Sequence, residues 1–360
     1  MCRTLCVELG TRSYDLHIGP RLLPRAGELV RAALPSRRAF VITHPIIARR
    51  HGESLLPSLR SAEVILVPSG ERQKSLRRAA RLYDELLSRG ADRRSVIIAF
   101  GGGVIGDLAG FVAATYMRGL AYVQLPTTLL AQVDASVGGK VAVDHPQAKN
   151  LIGAFHQPHL VIADSEVLHT LRARDYRAGL AEVVKHGVIA DAALFAWMEA
   201  SVSAISRRDP EAIGHMVWRS CEIKADVVRQ DESESGLRAI LNCGHTVGHA
   251  LESITGYRAL RHGEAVAIGL VTAARLSELM GLCERGVAGK IERLLDRLGL
   301  PTRIPGTAAG EILRAMQSDK KAVGGTLRFV LTRGLGRVEI VSEVPREALV
   351  AALLATGATE

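Results

Sequence analysis

The chain has 360 residues, too many for one ordinary hydrophobic core, so two domains are expected. Apolar residues make up 48% and charged residues 23%, which excludes a disordered chain, and no apolar run approaches the roughly eighteen residues needed to span a membrane. The net charge of +9 is spread without a dense basic run and aromatics are only 4%, so a small anionic ligand is a better partner than nucleic acid.

The start, Met1 to Glu8, has no apolar signal-peptide core. The five cysteines (Cys2, Cys6, Cys221, Cys243 and Cys283) are scattered, with no CxxC pair, which argues against a disulfide framework. A reducing, cytoplasmic location is the expectation.

Short β-branched runs alternate with helical patterns in the first half, the signature of βαβ units and a mostly parallel sheet. Residues 38–43, 62–68 and 95–100 read as strands, and 75–89 as a helix with an apolar stripe at Leu76, Ala79, Ala80, Tyr83, Leu86 and Leu87. From about Ser165 the strand signals fade and helical patterns take over at 187–204, 210–228, 247–255 and 264–280. A strand pair near the end, 326–331 and 337–341, flanks the turn-like Arg333-Gly-Leu-Gly336. The fold class expected is a Rossmann-like nucleotide-binding α/β domain, residues 1–170, followed by a mainly α-helical domain, residues 171–360, with the active site in the cleft.

Two loops in the first half suit a dinucleotide. Gly101-Gly102-Gly103-Val104-Ile105-Gly106-Asp107 follows a strand and opens a helix, where backbone amides can hold a pyrophosphate. It satisfies GxGxxG, but Ala121 to Val133 lacks the acidic residue expected about twenty positions on, so it is not an ordinary Rossmann fingerprint. In Ser69-Gly70-Glu71-Arg72-Gln73-Lys74, Glu71 can accept ribose hydroxyls and Lys74 can approach phosphate; a solvated loop capped by Ser69 is an equally good account.

The second half carries three segments with metal-binding residue types, around Glu182-Val-Val-Lys185-His186, Asn242-Cys243-Gly244-His245-Thr-Val-Gly-His249 and His262-Gly-Glu264. His245 and His249 are spaced i,i+4, so on a helix they share a face and can bind one metal; by spacing they are the obvious pair. Imidazoles with a carboxylate and an open position suit zinc or a similar divalent ion. His51 and His186 read as helix-surface or capping residues, and Cys243 as buried packing. A cationic, amide-rich group, Gln132 to Lys140, Lys149-Asn150, Lys224, Arg238 and Asp319-Lys320-Lys321, can share one phosphate and one carboxylate.

Taken together, these motifs resemble the 3-dehydroquinate synthase family along almost the whole chain. The resemblance runs through Leu9 to Asp15, Pro68 to Lys74, Gly101 to Arg118, Gln124 to Asp134, Val137 to Lys140, Lys149-Asn150, Ala181 to Lys185, Asn242 to His249, His262 to Glu264 and Asp319 to Lys321. It implies conversion of 3-deoxy-D-arabino-heptulosonate 7-phosphate to 3-dehydroquinate and phosphate, on the shikimate route to aromatic amino acids. NAD would be transiently reduced, phosphate eliminated and the hydride returned, before ring opening and aldol closure.

The resemblance also assigns residues. The metal, zinc or cobalt, falls to Glu182, His245 and His262, with His249 beside the substrate, against the spacing argument. Asp134, Lys140, Lys149, Asn150, Lys185, Lys224, Arg238, Asn242 and His249 would act on or bind substrate, with Lys320 or Lys321 adding to phosphate binding. NAD would lie on Ser69, Gly70, Glu71, Lys74, Gly103, Val104, Ile105, Gly106, Asp107, Thr127, Thr128, Lys140, Lys149, Val167, Leu168, His169 and Thr170. Arg118 would reach the phosphate pocket of a neighbouring subunit, which implies a homodimer. The rivals are another sugar-phosphate cyclase or a metal-dependent NAD alcohol or glycerol dehydrogenase.

Overall fold

The computed structural model describes residues 2–323 and 328–360, over 318–323 the backbone alone. Residue contacts divide the chain into two compact units. One holds the chain through Arg172 together with Ile213–Ser233; the other holds Ala173–Ala212 and Glu234–Glu360.

The first unit runs β1 (Arg3–Val7), β2 (Tyr14–Gly19), α1 (Ala26–Ala33), β3 (Ala39–Thr43), α2 (Pro45–Leu55), β4 (Glu63–Leu66), α3 (Leu76–Ser88), β5 (Val96–Gly101), α4 (Gly103–Thr115), β6 (Ala121–Pro126), β7 (Lys140–His145), β8 (Ala148–Phe155) and β9 (Leu160–Asp164). Seven strands form one sheet in the order β1-β2-β9-β6-β5-β3-β4. Only the β1–β2 pair is antiparallel. Central strands such as β3, β5 and β6 are buried along their whole length, as a sheet covered on both faces requires. Their core includes Phe40, Ile42, Ile97, Leu108, Val112 and Tyr122.

In a parallel sheet the carboxyl ends of the strands share one edge. Residues 69–74 follow β4, 102–107 follow β5, 127–128 follow β6 and 165–170 follow β9, so four loops widely spaced in sequence gather at that edge. Strands β7 and β8 form a separate antiparallel hairpin that the sequence reading did not find.

The rest of the chain runs α5 (Ala173–Ala190), α6 (Ala192–Ser206), α7 (Pro210–Gln230), α8 (His245–Ile254), α9 (His262–Leu279), α10 (Val287–Arg297), α11 (Ala309–Val323), β10 (Phe329–Gly334), β11 (Arg337–Val341) and α12 (Arg346–Ala355). Most of α7 belongs to the first unit by contacts. The helix read at 187–204 is two helices, broken where the Asp191 side chain accepts a hydrogen bond from Leu194 N at 3.0 Å and starts α6. The core of the second unit packs α8, α9, α11, α12 and β10 around Leu251, Ile268, Leu276, Ile312, Leu331 and Leu353. No helix among the described residues is long and apolar enough to cross a membrane.

Candidate metal and substrate site

Three helices of the second unit each deliver one donor to a common point. Helix α5 is buried on nearly every side from Tyr176 to Ile189, and Glu182 sits in its middle with no exposure. A carboxylate so placed needs a charged partner. Lys185, one turn on and 1% exposed, pairs with its Oε2. Neither Glu182 oxygen accepts an aligned hydrogen bond. Oε1 faces two imidazoles, His245 Nε2 at 3.8 Å and His262 Nε2 at 3.7 Å.

Glycines make this convergence possible. Gly244 adopts φ +79° just before His245, a left-handed conformation that turns the chain into α8 and that a side chain would strain. A β-carbon on Gly269 would come within 1.9 Å of the Gly244 carbonyl oxygen, so α8 and α9 touch backbone to backbone. At Gly263 it would meet the Ala178 carbonyl oxygen at 1.8 Å, which brings the start of α9, and with it His262, against α5. Arg174 holds the same helix start, donating to both oxygens of Glu264 at 2.6 and 2.7 Å, while Glu264 accepts from Arg261 N.

The donor set fits a divalent ion. His245 Nδ1 lies 3.2 Å from the Cys243 carbonyl and His262 Nδ1 lies 3.0 Å from Glu252 Oε2, so each ring donates from Nδ1 and turns the lone pair of Nε2 toward Glu182. Ligands about 2.0–2.1 Å from a tetrahedral zinc lie about 3.4 Å apart, a few tenths less than the separations here. Burial holds the His245 pKa well below its ordinary value, helped by Lys185, His262 and His249, so the imidazole is neutral, the form that ligates.

His249 follows one turn later, exposed, its ring centroid 5.3 Å from that of His245 and 6.0 Å from that of His262. Among the described residues the donor atoms that gather within 4.8 Å are those of Glu182, His245 and His262, and those of His249, Glu252 and His262. No such group contains both His245 and His249, the pair favoured by spacing. Arg238 is 1% exposed on the turn Leu237–Asn242, and the exposed Asn242 donates from Nδ2 to Glu234 Oε1 at 3.0 Å. His186 is fully buried in α5 and does not lie on a helix surface.

In the first unit, Lys224 is buried on α7 and donates to both the carbonyl and Oδ1 of Asp134 at 2.5 Å. Asp134 lies on the π-helical turn Ala131–Ala135, which follows Thr127 and Thr128. Thr127 is buried, its N–H donating to the Gly101 carbonyl at 2.9 Å, and Thr128 Oγ1 caps Ala131 N. Over Gly103 the backbone is open: a β-carbon there would meet nothing nearer than Ala135 at 3.8 Å. Ile105 and Gly106 are buried, and Val104 is half-buried.

The turn after β4 is tied to the hairpin. Gly70 has φ +113°, and Ser69, Gly70 and Glu71 are exposed, whereas Lys74 is 4% exposed. Lys74 Nζ pairs with Asp107 Oδ2 at 2.5 Å and with Asn150 Oδ1, and Lys149 Nζ lies 3.8 Å from Glu71 Oε1. Burial works to lower the Lys74 pKa, but the carboxylates of Asp107, Glu71 and Asp144 together outweigh it and raise the pKa overall, keeping the amine charged. So Lys74 and Glu71, expected for the cofactor, contact Asn150, expected for the substrate, and Lys149, expected for both. Lys140 opens β7 and is exposed.

Val167 and Leu168 are buried in the 3-10 turn Ser165–Thr170, and His169 is exposed. Thr170 is held through Oγ1 by His51 Nε2 at 2.8 Å and through its carbonyl by Arg50. Arg118 is exposed at a corner where Met117, Arg118 and Gly119 all have positive φ. The side chains of Lys320 and Lys321 lie outside the described residues. Glu252 and Glu234 escaped sequence reasoning; the available signal for Glu252 was its i,i+3 spacing from His249 on one helix face.

Comparison with known proteins bears on this geometry. Residues 64–178 match the family model "3-dehydroquinate synthase N-terminal", and residues 179–322 match "3-dehydroquinate synthase C-terminal". A 3-dehydroquinate synthase of Halorhodospira halophila is 49% identical, covering 96% of this chain and 98% of its own. The solved 2-epi-5-epi-valiolone synthase from Streptomyces hygroscopicus, with NAD+ and Zn2+ bound, has a TM-score of 0.88 at 30% identity and covers 97% of both chains. A 2-deoxy-scyllo-inosose synthase complexed with carbaglucose-6-phosphate, NAD+ and Co2+ has a TM-score of 0.88 at 25% identity, covering 99% of this chain and 100% of its own.

Proposed function

This chain belongs to the 3-dehydroquinate synthase family, and we propose that it converts 3-deoxy-D-arabino-heptulosonate 7-phosphate to 3-dehydroquinate and inorganic phosphate, using NAD and a divalent metal. The observation that carries this reading is the convergence of Glu182, His245 and His262 from three helices. In this reading those residues hold zinc or cobalt. NAD lies along the carboxyl edge of the sheet, on Ser69, Gly70, Glu71, Lys74, Gly103–Asp107, Thr127, Thr128 and Val167–Thr170, with Lys140 and Lys149 beside it. The gathering of four loops at that edge and the open backbone over Gly103 support this placement.

When bound, the metal would supply Lewis acidity to a substrate hydroxyl and NAD would accept and return a hydride. The protein's own groups do the rest. Asp134, held by Lys224, accepts from substrate hydroxyls, and Asn150, its Oδ1 held by Lys74, donates from its amide N–H to the substrate. Lys140, Lys149, Lys185, Lys224 and Arg238 offset the charge of the carboxylate and of the departing phosphate. Asn242, steadied by Glu234, donates to the substrate, and the exposed His249 imidazole moves a proton.

Arg118 serves the phosphate pocket of a partner subunit in a homodimer, a role suited to an exposed side chain on a corner of three positive-φ residues. All five cysteines are free, in keeping with a reducing cytoplasm. The test is phosphate release from the substrate by the purified protein with NAD supplied, before chelation, after chelation and after zinc or cobalt is returned. Release that is lost and then restored supports the reading; no release in any arm contradicts it.

A further inference from the structure

We propose that Glu252 is a positioning residue that fixes the tautomer and orientation of His262 and thereby sets the affinity of the divalent-metal site; the proposal rests on the reading that Glu182, His245 and His262 hold the ion. Glu252 is 5% exposed, and its Oε2 lies 3.0 Å from His262 Nδ1. With Nδ1 donating to a carboxylate, the ring keeps its hydrogen there and its lone pair on Nε2, the atom 3.7 Å from Glu182 Oε1.

The two histidines are steadied differently. His245 Nδ1 faces a main-chain carbonyl, that of Cys243, two residues away in its own segment. His262 is the first residue of α9, and the group on its Nδ1 comes from the neighbouring helix. Helix α8 therefore serves the site twice, through His245 as a donor and through Glu252, two turns later, as the support of His262. The same side chain also lies within 4.8 Å of a His249 donor atom, so the rival role for Glu252 is direct ligation with His249 and His262. The 3.0 Å contact favours support, because an Nδ1 that donates to a carboxylate has no lone pair for a metal.

The test uses the full chain, wild type beside Glu252→Gln, Glu252→Leu and His262→Ala. Zinc affinity is read by competition with a chromophoric chelator, the cobalt-loaded absorption spectrum reports the ligand set, and melting of the metal-free protein reports the fold. Glu252→Gln, nearly isosteric, is expected to weaken zinc binding roughly 10-fold and Glu252→Leu up to about 100-fold. Metal-free melting and the intensity of the cobalt bands of Glu252→Gln should match wild type. Unchanged zinc affinity in Glu252→Gln and Glu252→Leu overturns the proposal, as does a cobalt spectrum showing a lost ligand. If Glu252→Leu does not fold, Glu252→Gln decides alone. If wild type binds no zinc, or His262→Ala binds it as tightly, the metal reading itself fails.

Discussion

Gly263 stands so close to Ala178 that a β-carbon on it would lie 1.8 Å from the Ala178 carbonyl oxygen, and this contact carries His262 to within 3.7 Å of Glu182. The obstacle is backbone, which cannot rotate away as a side chain can. Gly263→Ala should push α9 off α5, costing at least about 1–3 kcal/mol of stability by overpacking. It should also weaken zinc binding, although no ligand has been changed. Melting and chelator competition on one preparation check this, and wild-type values in both would show that the contact is not what sets the site.

The histidines of α8 should separate by function. Glu182→Ala, His245→Ala and His262→Ala are each expected to lose the metal, whereas His249→Ala keeps it and loses most activity. Metal content after gel filtration, read beside phosphate release, distinguishes the two groups. Metal lost from His249→Ala would restore the pairing that i,i+4 spacing suggests.

That pairing shows where the sequence stops being informative. His245 and His249 are neighbours on one helix, but the other donors arrive from α5 and α9, and α9 is set against α5 and α8 by glycine contacts at Gly263 and Gly269 that no local pattern announces. Strands β3 and β5 were legible because they are short, apolar and bounded by loops, whereas β6, equally buried, was not read as a strand. The β7–β8 hairpin was not: it lies outside the main sheet, and its second strand has exposed and half-buried positions with no clear alternation. The break at Asp191 carried a readable signal, an acidic N-cap before an apolar run, which the helical pattern on either side obscured.

Lys224 and Asp134 form a pair in which Lys224 is almost buried while Asp134 keeps 26% exposure. Lys224→Met should cost about 1–3 kcal/mol, less than for a fully buried pair because water still reaches Asp134. It should raise KM for the phosphorylated substrate at least tenfold. Urea midpoints and steady-state kinetics check the two effects, and an unchanged KM would remove Lys224 from substrate binding.

Acid should destabilise the first unit through His51 and His156. Burial is the main cause that lowers both pKa values below 6.5, aided at His51 by Arg50 and opposed at His156 by the hydrogen bond to Leu120. Below 6.5 the unfolded chain therefore binds more protons than the folded one, so stability held above that pH is lost as pH falls. Melting temperature should drop between about pH 7 and 5, with a shallower slope in the double variant His51→Gln, His156→Gln. An identical slope would place the loss elsewhere.

The most direct test follows phosphate and the near-ultraviolet absorbance of NADH in the same cuvette, with zinc-loaded protein, NAD and 3-deoxy-D-arabino-heptulosonate 7-phosphate. A cyclase that returns its hydride releases one phosphate per substrate while NADH does not accumulate. NADH rising in step with substrate consumed, without phosphate, would instead mark a dehydrogenase and contradict the account.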